Sequence, residues 1–99
     1  MAYLLTWSSR ATEDLEEIAT YIAQDSEFYA SAVVREILEK TRALAEFPLL
    51  GRIVPEFDDE RIREVFAYSY RIIYKVSGES IEIAAIVHGR RRIEMALTS

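Results

Sequence analysis

The side chains best suited to bind a charged ligand lie in the last part of this sequence. Arg90, Arg91 and Arg92 are adjacent, and three guanidinium groups in a row can contact phosphate, an acidic protein partner, or both. The alternative is that they form a solubilising tail after the last strand. Residues 61–99 hold seven basic and four acidic side chains, whereas residues 1–50 hold four basic and nine acidic ones. The net charge is −5, so any surface for nucleic acid has to be local.

The sequence does not predict metal, cofactor or disulfide chemistry. His88 is the only histidine and there is no cysteine, and no acidic pair lies near His88 at ligand spacing. A lone histidine at a strand end more often makes a structural hydrogen bond than acts as a catalyst. The absence of cysteine fits a reducing compartment. The chain has neither an apolar run long enough to span a bilayer nor a signal-peptide start, so we expect a cytoplasmic protein without a membrane partner.

The elements that must position these side chains can be predicted from periodicity. With 99 residues, we expect a single domain over residues 1–99. Residues 3–7 are a β-prone run, and Ser8 or Ser9 can cap a helix over residues 9–24. After a polar break at residues 25–27, apolar residues recur at helical spacing until Pro48 ends the second helix.

A period of two then predicts three strands, at residues 61–66, 70–76 and 81–88, joined as an antiparallel meander. The predicted fold class is α+β in two layers, a strand, a helical hairpin and a three-stranded meander, with the hairpin on one face of the sheet. Alternation within the strands places one apolar set beneath the helices. Its members are Tyr70, Ile72, Tyr74, Val76, Ile81, Ile83, Ala85 and Val87. The opposite face is then open and bears Arg71 and Lys75, with His88 at its end.

Several segments of this chain resemble toxins of the ParE/RelE superfamily, with the ParE-type pattern the closer one. In chain order they are Trp7-Ser8, Ala11, Asp14-Leu15, Ile18, Tyr21-Ile22, Phe47 to Arg52, Ile62-Arg63-Glu64, Tyr70 to Tyr74 and Ile86 to Arg90. The resemblance covers about residues 2–92 and implies the toxin of a bacterial type II toxin–antitoxin pair. It also implies a cognate antitoxin that binds and neutralises the toxin in a hetero-oligomer.

Two activities occur in this superfamily. ParE-like members poison DNA gyrase, whereas RelE-like members enter the ribosome and cut mRNA. Cutting RNA through its 2′-hydroxyl needs a base, an acid and cations for the phosphate. The resemblance aligns Arg71 and Arg91 with RelE-type arginines, and His88 can replace the C-terminal tyrosine, which is missing here. Glu64 stands where RelE-like members often carry a basic residue.

The preferred interpretation is therefore a ParE-like toxin that is not an enzyme and acts by binding gyrase. Its predicted partner-binding residues are Arg63, Lys75 and residues 90–92. The alternative is a ribosome-dependent mRNA endonuclease with Arg71, His88 and Arg91 as catalytic residues. A third interpretation is a degenerate, non-toxic module that only binds its partner. Alternatively, Arg71 and Lys75 are ordinary charged residues that face solvent from the sheet and have no role in binding or catalysis.

Overall fold

The computed structural model describes residues 2–89 of the chain. The elements are β1 (Leu4–Trp7), α1 (Ser9–Ala23), α2 (Glu27–Glu46), β2 (Arg52–Ile53), β3 (Ile62–Ala67), β4 (Tyr70–Ser77) and β5 (Ser80–His88). The sheet has the order β1-β5-β4-β3-β2, in which β1 is parallel to β5 and the other pairs are antiparallel. This confirms the predicted α+β fold. The short strand β2 was not predicted.

Both helices begin at a serine that caps them. The side chain of Ser8 accepts a hydrogen bond from the N–H of Ala11, and that of Ser26 accepts one from Tyr29, each at 3.0 Å. These bonds satisfy donors that the first helical turn leaves without a partner. The second helix ends at Glu46, and its C-cap Phe47 directly precedes Pro48, where proline disfavours a helical conformation of the residue before it. No helix within residues 2–89 combines the length and hydrophobicity needed to cross a membrane.

The main core lies between the helical hairpin and the sheet. Its fully buried side chains include Ile37, Leu44, Ile72, Tyr74 and Ile83. The helix residues Leu15 and Ile18 are only partly buried and pack against this cluster. Burial of apolar area is the main favourable term in folding, so the hairpin is held on the sheet by this layer.

The predicted positions of Ala85 and Val87 were wrong. Residues pair one to one between β4 and β5 until the register shifts: Ile73 pairs with Ala85 and Tyr74 with Ile83, which leaves Ala84 as an extra residue. Such a bulge inverts the alternation beyond it. Ala85 and Val87 therefore point away from the helices, into a second cluster of buried residues.

That second cluster also corrects the prediction of an open face. The segment between β2 and β3 folds over the far side of the sheet, where Val54 is fully buried against Ile73, Ala85 and Val87. Phe57 and Ile62 pack at the edge of this cluster. Much of the second face is thus covered by the chain itself, and the charged residues on it meet the loop as well as solvent.

Candidate functional site

Arg71 is enclosed by carboxylates on the second face of the sheet. Its Nε donates to Glu64 Oε1 at 2.5 Å, and its two terminal nitrogens donate to the Glu56 carboxylate at 2.8 and 2.9 Å. The side chain is 7% exposed. Two parallel bonds from a guanidinium to one carboxylate are the strong, directional form of this pair, so Arg71 links β4, β3 and the loop between β2 and β3.

Glu64 is shared between two arginines. Its side chain is fully buried and its second oxygen accepts from Arg52 Nε at 2.7 Å. The Arg52 guanidinium in turn lies 5.3 Å from the centroid of the Phe66 ring. A buried carboxylate is tolerated only when it is paired and hydrogen-bonded, which explains why an acidic residue can occupy this strand position.

These contacts shift the pKa values of Glu56 and Arg71 so that both side chains stay charged. The hydrogen bonds from Arg71 lower the pKa of Glu56 from its usual 4.5 to about 2. The same bonds to Glu56, together with those to Glu64, raise the pKa of Arg71. At neutral pH the charged Glu56 carboxylate is therefore paired with the charged guanidinium of Arg71. The positive charge of Arg71 is engaged within the protein and is not available to a phosphate.

Two of the predicted partner-binding cations, Arg63 and Lys75, lie within the described residues, and their surroundings differ. Arg63 donates to the backbone carbonyls of Glu60 at 2.9 Å and Gly51 at 3.0 Å, so it holds the loop ends together. Lys75 is exposed. Hydrogen bonds from Arg61 are the main cause of the lowered pKa of Asp59, and the positive charge of Lys75 lowers it further. The Lys75 ammonium therefore lies near the loop between β2 and β3. Residues 90–92, including Arg91, lie outside the described residues.

His88 lies on the other face of the sheet from Arg71. In the β4–β5 register Tyr70 is opposite His88, whereas Arg71 is opposite Val87, and neighbouring residues of a strand point to opposite sides. The His88 ring packs edge-on against Tyr70, with the ring centroids 5.9 Å apart. The structure therefore does not bring the predicted catalytic residues Arg71 and His88 together.

His88 instead lines a cleft at one end of the molecule, which we name the tyrosine cleft. It has a volume of about 370 Å³ and lies between the break that joins the helices and the turn that joins β3 to β4. Its lining residues are Tyr21, Ile22, Asp25, Tyr29, Tyr68, Ser69, Tyr70 and His88. Tyr29 and Tyr68 pack edge to face, with centroids 6.0 Å apart and planes at 75°.

The backbone at the rim of this cleft is strained. Tyr68 is the first residue of the two-residue turn and has a φ of 54°, where glycine is the favoured residue. A bulky side chain in this region costs roughly 1–3 kcal/mol. The cleft was missed from the sequence because its tyrosines come from three separate segments. The one available signal was that Tyr21 and Tyr29 fall outside the apolar stripes of their helices.

No group of histidine, aspartate and glutamate side chains within residues 2–89 is arranged to hold a metal ion. The site residues of this part of the chain are therefore the Arg71 network on one face and the tyrosine cleft on the other. In the Arg71 network the guanidinium is paired with carboxylates of the same chain, whereas the tyrosine cleft is lined mainly by aromatic side chains.

Comparison with known proteins identifies the family. A model of the ParE toxin of the type II toxin–antitoxin system parDE matches residues 5–93. The chain belongs to the ParE toxin family. The candidate toxin Y4kP of Sinorhizobium fredii (strain NBRC 101917 / NGR234) is 32% identical over 88 residues, which are 89% of this chain and 90% of that protein. This confirms the resemblance to the ParE/RelE superfamily.

Two solved structures support the ParE fold. The chromosomal ParDE system from P. aeruginosa superposes with a TM-score of 0.72 at 22% identity, over 88% of this chain and 96% of that chain. A mutant of the E. coli toxin RelE in the free state gives 0.70 at 17% identity, over 98% and 94%. Proteins named ParE and RelE therefore share this fold, so the activity has to be argued from the residues of the site.

The ParE-type segment that follows α2, from Phe47 to Arg52, has a structural role. The Tyr74 hydroxyl accepts from the N–H of Gly51 at 2.9 Å and donates to the carbonyl of Pro48 at 2.8 Å. A Cβ on Gly51 would lie 2.5 Å from the carbonyl oxygen of Glu64, closer than such atoms approach. The motif therefore fixes the path of the chain onto the second face, where the loop meets Arg71.

Proposed function

We propose that this ParE-family toxin acts by binding and poisoning DNA gyrase, without cutting RNA, and that a cognate antitoxin neutralises it. The observation that carries the proposal is the Arg71 network. An RNA-cutting centre needs cations that can approach the crowded phosphate charge of the transition state. Arg71 is 7% exposed and bonded to the carboxylates of Glu56 and Glu64.

The separation of Arg71 and His88 supports the same conclusion. General acid–base groups and phosphate-binding cations must converge on one reacting group within hydrogen-bond reach. Here the sheet itself lies between the two side chains, since they project from opposite faces. A nuclease that used both Arg71 and His88 would require a rearrangement of β4, which is held by pairing along both of its edges.

The antitoxin part of the proposal is supported by family membership and by the ParDE assembly of P. aeruginosa. The exposed Lys75, with Arg63 and residues 90–92, remains our proposed cationic surface for an acidic segment of that partner. A gyrase target also implies that the protein works in the cytoplasm.

The test uses purified full-length protein in two assays. With gyrase and supercoiled DNA we expect covalent cleavage complexes, and with translating ribosomes we expect intact mRNA. Adding the small protein encoded by the adjacent gene should abolish the gyrase effect. Codon-dependent mRNA cuts that disappear in His88→Asn and Arg91→Gln variants would overturn the proposal. These two variants are chosen because neither removes a member of the buried network.

A further inference from the structure

The tyrosine cleft has no role in the proposed function, yet it is built from side chains that a protein rarely exposes together. Tyr21 is 71% exposed, Tyr68 55% and Tyr29 48%. Clustered exposed aromatic side chains mark interaction sites, and tyrosine is enriched among the residues that dominate binding energy. We propose that the tyrosine cleft binds a cationic side chain, a lysine ammonium or an arginine guanidinium, presented by a protein partner.

Several aromatic rings line the cleft at large angles to one another. The Tyr29–Tyr68 and Tyr70–His88 pairs have interplanar angles of 75° and 79°. A cation is attracted to the negative face of an aromatic ring within about 6 Å of its centroid, and cages of several rings recognise alkylated ammonium groups. The volume of about 370 Å³ lies at the small end of the roughly 300–1,000 Å³ of ligand pockets. It fits one side chain.

The charge around the cleft selects a cation over a phosphate or a nucleic acid. Asp25 lines the cleft, and no lysine or arginine does so among residues 2–89. Tyr21 also borders a neighbouring groove along α1, whose other lining residues include Glu13, Glu16 and Glu17. An approaching cation therefore meets a negative helix face and then the rings, while a phosphate backbone is repelled. Tyr70 stays neutral, because burial, and after it the nearby Tyr29 and Tyr21, raise the pKa of its hydroxyl.

The strained turn supports a binding role for the Tyr68 ring. Glycine would relieve the positive φ of this residue, and the exposed ring adds little to the main core. Strained residues cluster at ligand-binding positions. In this conformation the Tyr68 ring lines the cleft and packs against Tyr29.

The test compares two probes that differ in charge alone. Choline carries a trimethylammonium group, and 3,3-dimethylbutan-1-ol is its neutral isostere. Titrated against the full-length protein, choline should shift the aromatic NMR signals of the cleft saturably, and the isostere should bind about tenfold more weakly. Equal affinities for the two probes would overturn the proposal, since they would indicate an apolar site.

Variants separate binding from folding. Tyr68→Gly should weaken choline binding at least fivefold while leaving thermal stability equal or higher, because glycine suits the turn. The matched control is Phe47→Leu, an exposed aromatic residue at the opposite end of α2, which should not change binding. Unchanged affinity in Tyr68→Gly would overturn the proposal.

In the sequence, three arginines at residues 90–92 follow His88 after a single glycine. A full-length variant with Arg90, Arg91 and Arg92 changed to glutamine tests whether they compete. If this variant and the parent bind choline equally, the cleft is open to a partner, as proposed. If only the variant binds, the chain's own arginines fill the cleft and the assignment to a partner is overturned.

Discussion

The carboxylate of Asp14 accepts a hydrogen bond from the backbone N–H of Ile86 at 2.9 Å, across a sequence separation of 72 residues. Beside it, the Ser8 hydroxyl donates to the carbonyl of Ala84, also at 2.9 Å. Ala84 is the extra residue of the β5 bulge, and the pairing of β1 with β5 ends at Ile83. Beyond Ile83 the backbone groups on that edge of β5 therefore need partners other than a strand. Asp14 of α1 and the capping residue Ser8 supply those partners, so these two ParE-type residues stabilise the bulge.

We therefore expect Asp14→Leu to lower the free energy of unfolding by about 1–3 kcal/mol, because it leaves the buried N–H of Ile86 without an acceptor. Urea denaturation followed by circular dichroism measures this. The control is Glu36→Ala, which removes only a loose 3.9 Å surface pair with Lys40 and should change stability by less than about 0.5 kcal/mol. Equal effects of the two substitutions would show that the Asp14 contact contributes little.

The bulge also explains which part of the core could be predicted from the sequence. Ile81 and Ile83 precede it and lie beneath the helices as expected, whereas Ala85 and Val87 follow it and lie on the other side. All four are apolar, so the pattern of alternation is the same with or without an inserted residue. Only the pairing with β4 reveals the shift.

The Arg71 network could not be predicted for a different reason. A charged residue alternating with apolar ones on a strand normally faces solvent. Its burial depends on Glu56, which lies in a loop that carries no periodicity, and on Glu64 across the β3–β4 pair. The family resemblance located Arg71 and Glu64 as motif residues, but their contact is a tertiary feature of the folded loop.

Removing Arg71 should be costly. We expect Arg71→Ala to destabilise the protein by about 3 kcal/mol, since it leaves Glu64 in the interior with only Arg52 as its partner. An Arg71→Met, Glu64→Leu double variant should recover most of this loss, because no charge is then left buried. Chemical denaturation of the variants measures both effects. A double variant less stable than Arg71→Ala would contradict this account of the network.

Acid should weaken the contact between the loop and the sheet. The pKa of Glu56 is lowered from 4.5 to about 2 by its hydrogen bonds to Arg71. Its contribution to stability is therefore complete above about pH 4.5 and is lost as the pH falls toward 2. The Glu56 side chain is 27% exposed, so after solvent screening we expect about 1–2 kcal/mol.

The measurement for Glu56 is the difference in unfolding free energy between the parent and Glu56→Gln. This difference should be constant from pH 7 to about 5 and should shrink between about pH 4.5 and 3. A difference that does not change with pH would contradict the assigned pKa shift.

Truncation in the main core should cost more than truncation at its edge. Ile37 is fully buried, whereas Leu15 is partly buried against the same cluster. We expect Ile37→Ala to lower the unfolding free energy by about 2–5 kcal/mol and Leu15→Ala by less, because a partly exposed site leaves a smaller cavity. Thermal melts of both variants test this, and normal melting of Ile37→Ala would contradict the two-layer packing.

The basic cluster at residues 90–92 should act on the rate at which the antitoxin binds. Charges at a partly exposed rim mainly increase the association rate and set the register, while dissociation depends more on buried contacts. A triple glutamine variant at Arg90, Arg91 and Arg92 should therefore associate more slowly and with a weaker salt dependence, and its dissociation rate should change little. The matched control is a second triple variant, Arg35→Gln, Lys40→Gln and Arg42→Gln, which removes the same charge from helix α2. Stopped-flow or surface-binding kinetics, measured across ionic strength, separate the effect of the position of these charges from the effect of net charge. If both variants slow association equally, net charge alone is responsible. If neither differs from the parent, residues 90–92 are not part of the antitoxin surface.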